Sequence, residues 1–194
     1  MFFLLKQSMK NIFLISGPSG SGQDSVIEGL AKRLPLERVI TTTTRPMRPN
    51  ESEGHPYYFV SREAFLQGIE EGKFLEHAEA YNHHLYGVTR EELARIEETG
   101  KIALWKVEYQ GAKTAKRLFP GIIAILVTAP LEVLEARIKR RDKPEASYIK
   151  ERMDYTRTWF ENTDIYDYII QNQEGALESA VQELENIVRK HAEA

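Results

Sequence analysis

No stretch of this chain constrains its fold more than Gly17-Pro18-Ser19-Gly20-Ser21-Gly22-Gln23-Asp24-Ser25, which follows directly on the apolar run Asn11-Ile12-Phe13-Leu14-Ile15-Ser16. Glycines at this spacing let a backbone curl until several N–H groups point at one anion. Apolar residues then recur at helical spacing from Ser25 to Leu34 (Val26, Ile27, Leu30, Leu34), so the segment reads as strand, loop, helix. A loop of this kind cradles phosphate at the start of its helix. It ordinarily carries Lys and then Ser or Thr after its last glycine, the Lys on the phosphate oxygens and the hydroxyl on Mg²⁺. Here those two positions are Gln23 and Asp24. The cradle is kept, its cation is gone, and an acid stands beside it.

The rest of the chain repeats the alternation. Ile102-Ala103-Leu104-Trp105 and Ile122 to Val127 read as strands buried on both faces, each followed by a helical pattern that begins near Gln110 and near Leu131. A last run, Tyr166 to Ile170, precedes an amphipathic helix from about Ala176 to His191. Alternation of this kind predicts a doubly wound α/β sheet of parallel strands with ligands at the strands' carboxyl ends. Between residues 36 and 92 the runs are shorter and rich in Thr, Tyr and His, with Pro46, Pro49 and Pro56, which predicts a β-rich insertion. Lys139 to Glu145 reads as a charged turn between two helices.

With 194 residues, 42% of them hydrophobic, the chain can bury a core as one domain with an inserted lobe or two. Its 26 basic and 29 acidic residues balance too closely to point to duplex nucleic acid or an anionic membrane. The absence of cysteine excludes a disulfide scaffold, a thiolate metal site and a Cys nucleophile, and fits a reducing compartment. The run Met1 to Leu5 is interrupted by Lys6 and has no basic segment before it, so it reads as an N-terminal extension of a cytoplasmic protein. His83 and His84 fall in an expected hairpin loop as surface residues, and Trp105 and Trp159 read as core aromatics.

Thr41-Thr42-Thr43-Thr44-Arg45-Pro46-Met47-Arg48-Pro49 and Gly54-His55-Pro56-Tyr57-Tyr58-Phe59-Val60-Ser61 follow the glycine loop, and further on come Gly72 to Glu76, Leu85-Tyr86-Gly87, Val107-Glu108-Tyr109-Gln110-Gly111-Ala112 and Tyr168 to Asn172. In order and spacing these motifs resemble the guanylate kinase family, over residues 11 to 190. The resemblance implies a P-loop NTPase-type parallel sheet core with helices on both faces (11–39, 93–136 and 153–194), an inserted β-rich lobe for the nucleoside monophosphate (40–92) and a short helical lid (137–152). It implies transfer of the γ-phosphoryl of ATP to GMP with Mg²⁺, by a monomer or homodimer whose partners are these small nucleotides.

The same resemblance assigns roles. Gly17, Pro18, Ser19, Gly20, Ser21, Gly22, Gln23, Asp24 and Ser25 would hold ATP. Arg45 and Arg48 with Tyr57 and Tyr86 would grip the monophosphate, since guanidinium forks suit phosphate oxygens and phenols add donors. Glu76 and Glu108 would accept from guanine N1–H and its exocyclic amine, with Thr41 adding a polar contact. Arg137, Arg141 and Arg152, together with Arg45, would neutralise charge on the transferring group.

Departures from the family pattern sharpen the reading. Lys106 stands where members usually carry an acid, so the sign is inverted there as well as in the loop. The expectation is a relocated cation, with Asp24 either paired to Lys106 or helping to hold Mg²⁺; a plain surface lysine is the other reading. Glu108 is one methylene longer than the usual Asp, and Val88 replaces a common hydroxyl, which loosens the expected guanine preference. Two alternatives stay open: a binding domain of this fold that keeps nucleotide or a phosphorylated partner, and an enzyme like the ribose 1,5-bisphosphate phosphokinases, which carry Asp-Ser after the loop Lys.

Overall fold

The structure, a computed structural model, describes residues 11–80, 83–140 and 145–192, with the backbone alone at 141–142. The N-terminal run Met1–Lys10 lies outside these residues. The chain order is β1 (Ile12–Ser16), α1 (Gln23–Ala31), β2 (Leu36–Val39), β3 (Thr41–Thr43), β4 (Ser52–Glu53), β5 (Pro56–Phe59), α2 (Arg62–Glu70), β6 (Phe74–Glu79) and β7 (Leu85–Thr89). It continues with α3 (Arg90–Thr99), β8 (Ile102–Lys106), α4 (Tyr109–Leu118), β9 (Ile123–Thr128), α5 (Leu131–Asp142), α6 (Ala146–Phe160), β10 (Tyr168–Gln171) and α7 (Leu177–His191).

Five strands form a parallel sheet in the order β10-β9-β1-β8-β2. Every residue of β1 is buried, as expected of a strand with a neighbour on each edge and helices on each face. Successive β1 side chains point to opposite faces. Phe13 and Ile15 meet Val26, Ile27 and Leu30 of α1 and Val181, Leu184 and Val188 of α7. Leu14 joins Trp105, Ala112, Ala115 and Trp159 on the other side. Each large apolar side chain fully buried in this way contributes about 1.5–3 kcal/mol. The register sets Ile15 of β1 beside Lys106 of β8, so the last residue of β8 ends next to the glycine loop.

The second sheet is mixed and runs β4-β5-β3-β7-β6. β6 and β7 form its antiparallel hairpin, β7 pairs antiparallel with β3, and β3 pairs parallel with β5. Helix α2 covers it through Phe65, whose ring stacks on Phe74 with centroids 4.1 Å apart.

Four boundaries differ from the sequence reading. The glycine loop ends sooner than apolar spacing implied: Gly22 is the N-cap of α1, left-handed at φ +77°, so the helix begins at Gln23 and not Ser25. Residues 36–39, which composition alone grouped with the insertion, pair with β8 in the parallel sheet, within the core bounds of 11–39 that the resemblance implied. That stretch also contains a helix, started by Ser61, whose Oγ accepts from the Ala64 N–H at 3.1 Å. The charged run at 139–145 is helical through Asp142, because Lys139 pairs with Glu135 one turn earlier.

Candidate functional site

The glycine loop is built by its own backbone and by three distant elements. Gly20 and Gly22 adopt φ of +85° and +77°. A Cβ on Gly17 would stand 2.5 Å from the Val127 carbonyl oxygen, so the loop touches β9 only because residue 17 has no side chain. Ser21 N–H donates to the Pro18 carbonyl at 3.1 Å and closes the turn. Asn172 Nδ2 donates to the Ser21 carbonyl (2.8 Å), Arg137 Nη1 to the Gly20 carbonyl (3.2 Å) and Arg152 Nη2 to the Ser19 hydroxyl (2.6 Å).

At the position that follows the last glycine, Gln23 turns inward. Its Nε2 donates to the Gly17 carbonyl at 3.2 Å, and among the described residues its buried Oε1 has no hydrogen-bond partner. Asp24, the next residue, receives Lys106 Nζ at 2.9 Å on both carboxylate oxygens and Arg38 at 3.5 Å on one. Burial works against the Asp24 carboxylate, but the ammonium and guanidinium outweigh it and hold its pKa below the ordinary value. Burial likewise works against the Lys106 ammonium, and Tyr57 and Asp24 reverse the effect, so its pKa lies above the ordinary lysine range.

Across the cleft, Arg45 is buried and forked on Glu51, with Nη2 at 2.7 and 2.9 Å from the two carboxylate oxygens. Its guanidinium lies 5.4 Å from the Tyr57 ring centre, and Tyr57 meets Tyr86 edge-on at 5.8 Å. Arg48 is exposed at the rim, its backbone N–H donating to Glu51 at 2.8 Å. Lys106 Nζ sits 5.9 Å from the other contact of this cluster, the Tyr57 ring centre, and so bridges the two walls.

The floor holds two acids. Glu76 on β6 is buried, and burial first and the neighbouring Glu108 second push its carboxyl up to about 8. Glu108, at the N-cap of α4, is raised by burial, opposed by the Tyr155 hydroxyl that donates to it at 3.2 Å and by Lys106 and Arg152. Thr41 Oγ1 lies 3.4 Å from the Lys106 carbonyl oxygen, on the same floor. One cleft is thus lined by Gly17 to Asp24, Thr41, Arg45, Arg48, Tyr57, Glu76, Tyr86, Lys106, Glu108 and Arg152.

The guanylate kinase family model matches residues 9–191. The chain belongs to the guanylate kinase family. It is 33% identical over 179 residues to the guanylate kinase of Alcanivorax borkumensis, covering 91% of this chain and 85% of that one. It is 34% identical over 180 residues to that of Coxiella burnetii, covering 92% and 86%. The crystal structure of guanylate kinase from Anaplasma phagocytophilum superposes with a TM-score of 0.75 at 27% identity, over 94% of this chain and 86% of that chain. The P-loop fold and the membership expected from the sequence motifs are therefore confirmed.

Not every residue that the guanylate kinase resemblance assigned falls in the cleft. Ser25 and Arg137 line an adjoining groove with Arg140, Asn172 and Glu174, which shares Gly20, Gly22 and Asp24 with the cleft and where Arg137 Nε is 3.3 Å from Glu174. The Arg141 side chain lies outside the described residues. Val88 is fully buried in the core on β7. His83 is exposed and bonds Glu79, and Trp105 and Trp159 are core residues as expected. Sequence reasoning missed Glu51, Arg38, Tyr155 and Glu174. Glu51 had a signal, an acid three residues after Arg48 in a basic loop; the others reach the site only through tertiary contacts.

Proposed function

We propose that this chain transfers the γ-phosphoryl group of ATP to GMP, giving ADP and GDP. The observation that carries the reading is the single cleft in which a phosphate cradle, an arginine–tyrosine cluster and a buried pair of acids face one another. The stretch 40–92 serves as the monophosphate lobe and 137–152 as the lid, with 11–39, 93–136 and 153–194 as the core. Arg45, Arg48, Tyr57 and Tyr86 bind the phosphate of GMP; Glu76, Glu108 and Thr41 read its base. A carboxylate complements the N1–H and amine of guanine and mismatches adenine, whose N1 is an acceptor.

The loop from Gly17 to Ser25 binds the phosphates of ATP through backbone N–H groups at the start of α1. Arg152 contributes positive charge over the loop, and Arg137 contributes it from the adjoining groove, where it is tied to the Gly20 carbonyl. The chemistry is positioning and charge neutralisation, without a covalent intermediate. Among the described residues no cluster of three or more His, Cys, Asp or Glu could hold a metal by itself. Mg²⁺ would be carried by the nucleotide phosphates and water, neutralising phosphate charge, with Asp24 the carboxylate beside the cradle and its oxygens engaged by Lys106 and Arg38.

No helix among the described residues is long and apolar enough to cross a membrane. Together with the absent cysteines this favours the cytoplasm, and a monomer or homodimer suffices for a cleft that one chain completes. A coupled ADP-release assay with ATP, Mg²⁺ and a panel of GMP, dGMP, AMP, CMP and UMP tests the activity. Turnover with guanine nucleotides alone is expected. No turnover with any of them would replace the reading by a nucleotide-binding or phospho-partner-binding domain.

A further inference from the structure

We infer that the phosphate-contacting cation of this enzyme is Lys106, supplied from the end of β8, and that Asp24 at the start of α1 positions it. The inference rests on the phosphotransferase reading above and assigns the loop's missing function to a particular atom, Lys106 Nζ.

Three observations converge on it. The residue at the loop's usual cation position is uncharged, and Gln23 is bonded back onto Gly17, so it offers the phosphates no positive charge. Lys106 ends the strand in register with β1 and reaches the cleft beside the loop, its Nζ between Asp24 at 2.9 Å and the Tyr57 ring. That places an ammonium between the phosphate cradle and the arginine–tyrosine cluster, along the line a transferring phosphoryl group must cross. The third observation concerns the counter-ion. Asp24 lies in the first turn of α1, where the helix dipole favours a carboxylate, and Arg38 also contacts it at 3.5 Å. Lys106 can therefore turn toward phosphate oxygens without leaving Asp24 unpaired. Lysine suits such a move, being a compact charge on a flexible stem. The acid and the cation have exchanged sides of the cleft, and the sum of their charges is unchanged.

A surface-lysine role and a catalytic role predict different kinetics. Lys106→Ala is expected to lower kcat with ATP and GMP by about 10²–10³-fold, the loss typical of removing one preorganised donor to a transition state. GMP affinity, measured by calorimetry, should stay within about threefold of wild type, because Arg45 and Glu76 are untouched, and the melting temperature should stay close to that of wild type. Adding Gln23→Lys to Lys106→Ala returns a cation to the loop and should recover at least about tenfold of the lost turnover.

The assignment is overturned if Lys106→Ala keeps wild-type kcat, if its loss is matched by an equal loss of GMP affinity or by a lowered melting temperature, or if Gln23→Lys restores nothing. A wild-type protein with no turnover on any nucleotide would instead overturn the phosphotransferase reading on which the assignment rests.

Discussion

Glu76 on β6 lies so close to Gly111 of α4 that a Cβ on residue 111 would stand 2.4 Å from its Oε1. The helix presses its backbone against the carboxylate and fixes which way it faces. Gly111→Ala adds helix propensity, worth about 1 kcal/mol, yet places a methyl group where the acid now sits. The variant should fold and lose kcat/KM for GMP by roughly tenfold to a hundredfold, the value of a hydrogen bond to a charged group. Steady-state kinetics at fixed ATP checks this; unchanged kcat/KM would remove Glu76 from base recognition.

The raised pKa of Glu76, about 8 against an ordinary 4.5, has a sign that can be measured. The free protein prefers the neutral acid, so this group's contribution to stability is complete below pH 4.5 and is lost as pH rises through 8. Guanine prefers the carboxylate, because its N1–H and amine both donate. Binding of GMP at pH 7 should therefore release protons, seen as a binding enthalpy that varies with the ionisation enthalpy of the buffer. Glu76→Gln should reduce that release. Equal enthalpies in all buffers would contradict it.

Glu51 holds Arg45 at two oxygens and the Arg48 backbone at 2.8 Å, and burial of the pair makes its removal costly. Glu51→Ala should destabilise the protein by about 1.5–3 kcal/mol in denaturant unfolding, since it strands a buried guanidinium. It should also raise KM for GMP much more than KM for ATP. A rise confined to ATP would misplace the monophosphate site.

Asn172 is a different kind of support, a single donor from the end of β10 to the Ser21 carbonyl. Asn172→Ala leaves that buried carbonyl unpaired, at a cost of about 1–3 kcal/mol. A melting temperature lower by about 2–4 °C per kcal/mol is expected for a chain of this size, with KM for ATP raised. An unaltered KM for ATP would show that the loop keeps its shape without this tie.

The parallel sheet and the glycine loop were legible because β1, β8 and β9 are continuous apolar runs, a pattern that both-face burial alone imposes. The pairing of Asp24 with Lys106 was legible as one of two expectations, from two sign changes far apart in sequence. What sequence could not show depended on packing. Arg38 and Tyr155 look like ordinary surface and aromatic positions until β2 and α6 bring them to Asp24 and Glu108. Helix α2 was masked by the Thr-, Tyr- and His-rich strands on either side of it, although Arg62 to Glu70 is itself rich in helix formers, and the tie from Arg137 to the Gly20 carbonyl depends on where α5 packs.

The bond from Asn172 to Ser21 joins residues 151 positions apart. Central strand β1, which launches the loop, likewise takes both its neighbours, β8 and β9, from the second half of the chain. During synthesis, then, the glycine loop leaves the ribosome well before Arg137, Arg152 and Asn172, the residues that brace it. Pairings of this long range are slow to form. The loop therefore reaches its braced form only after β10 is in place, so its shape doubles as a report that this strand has arrived.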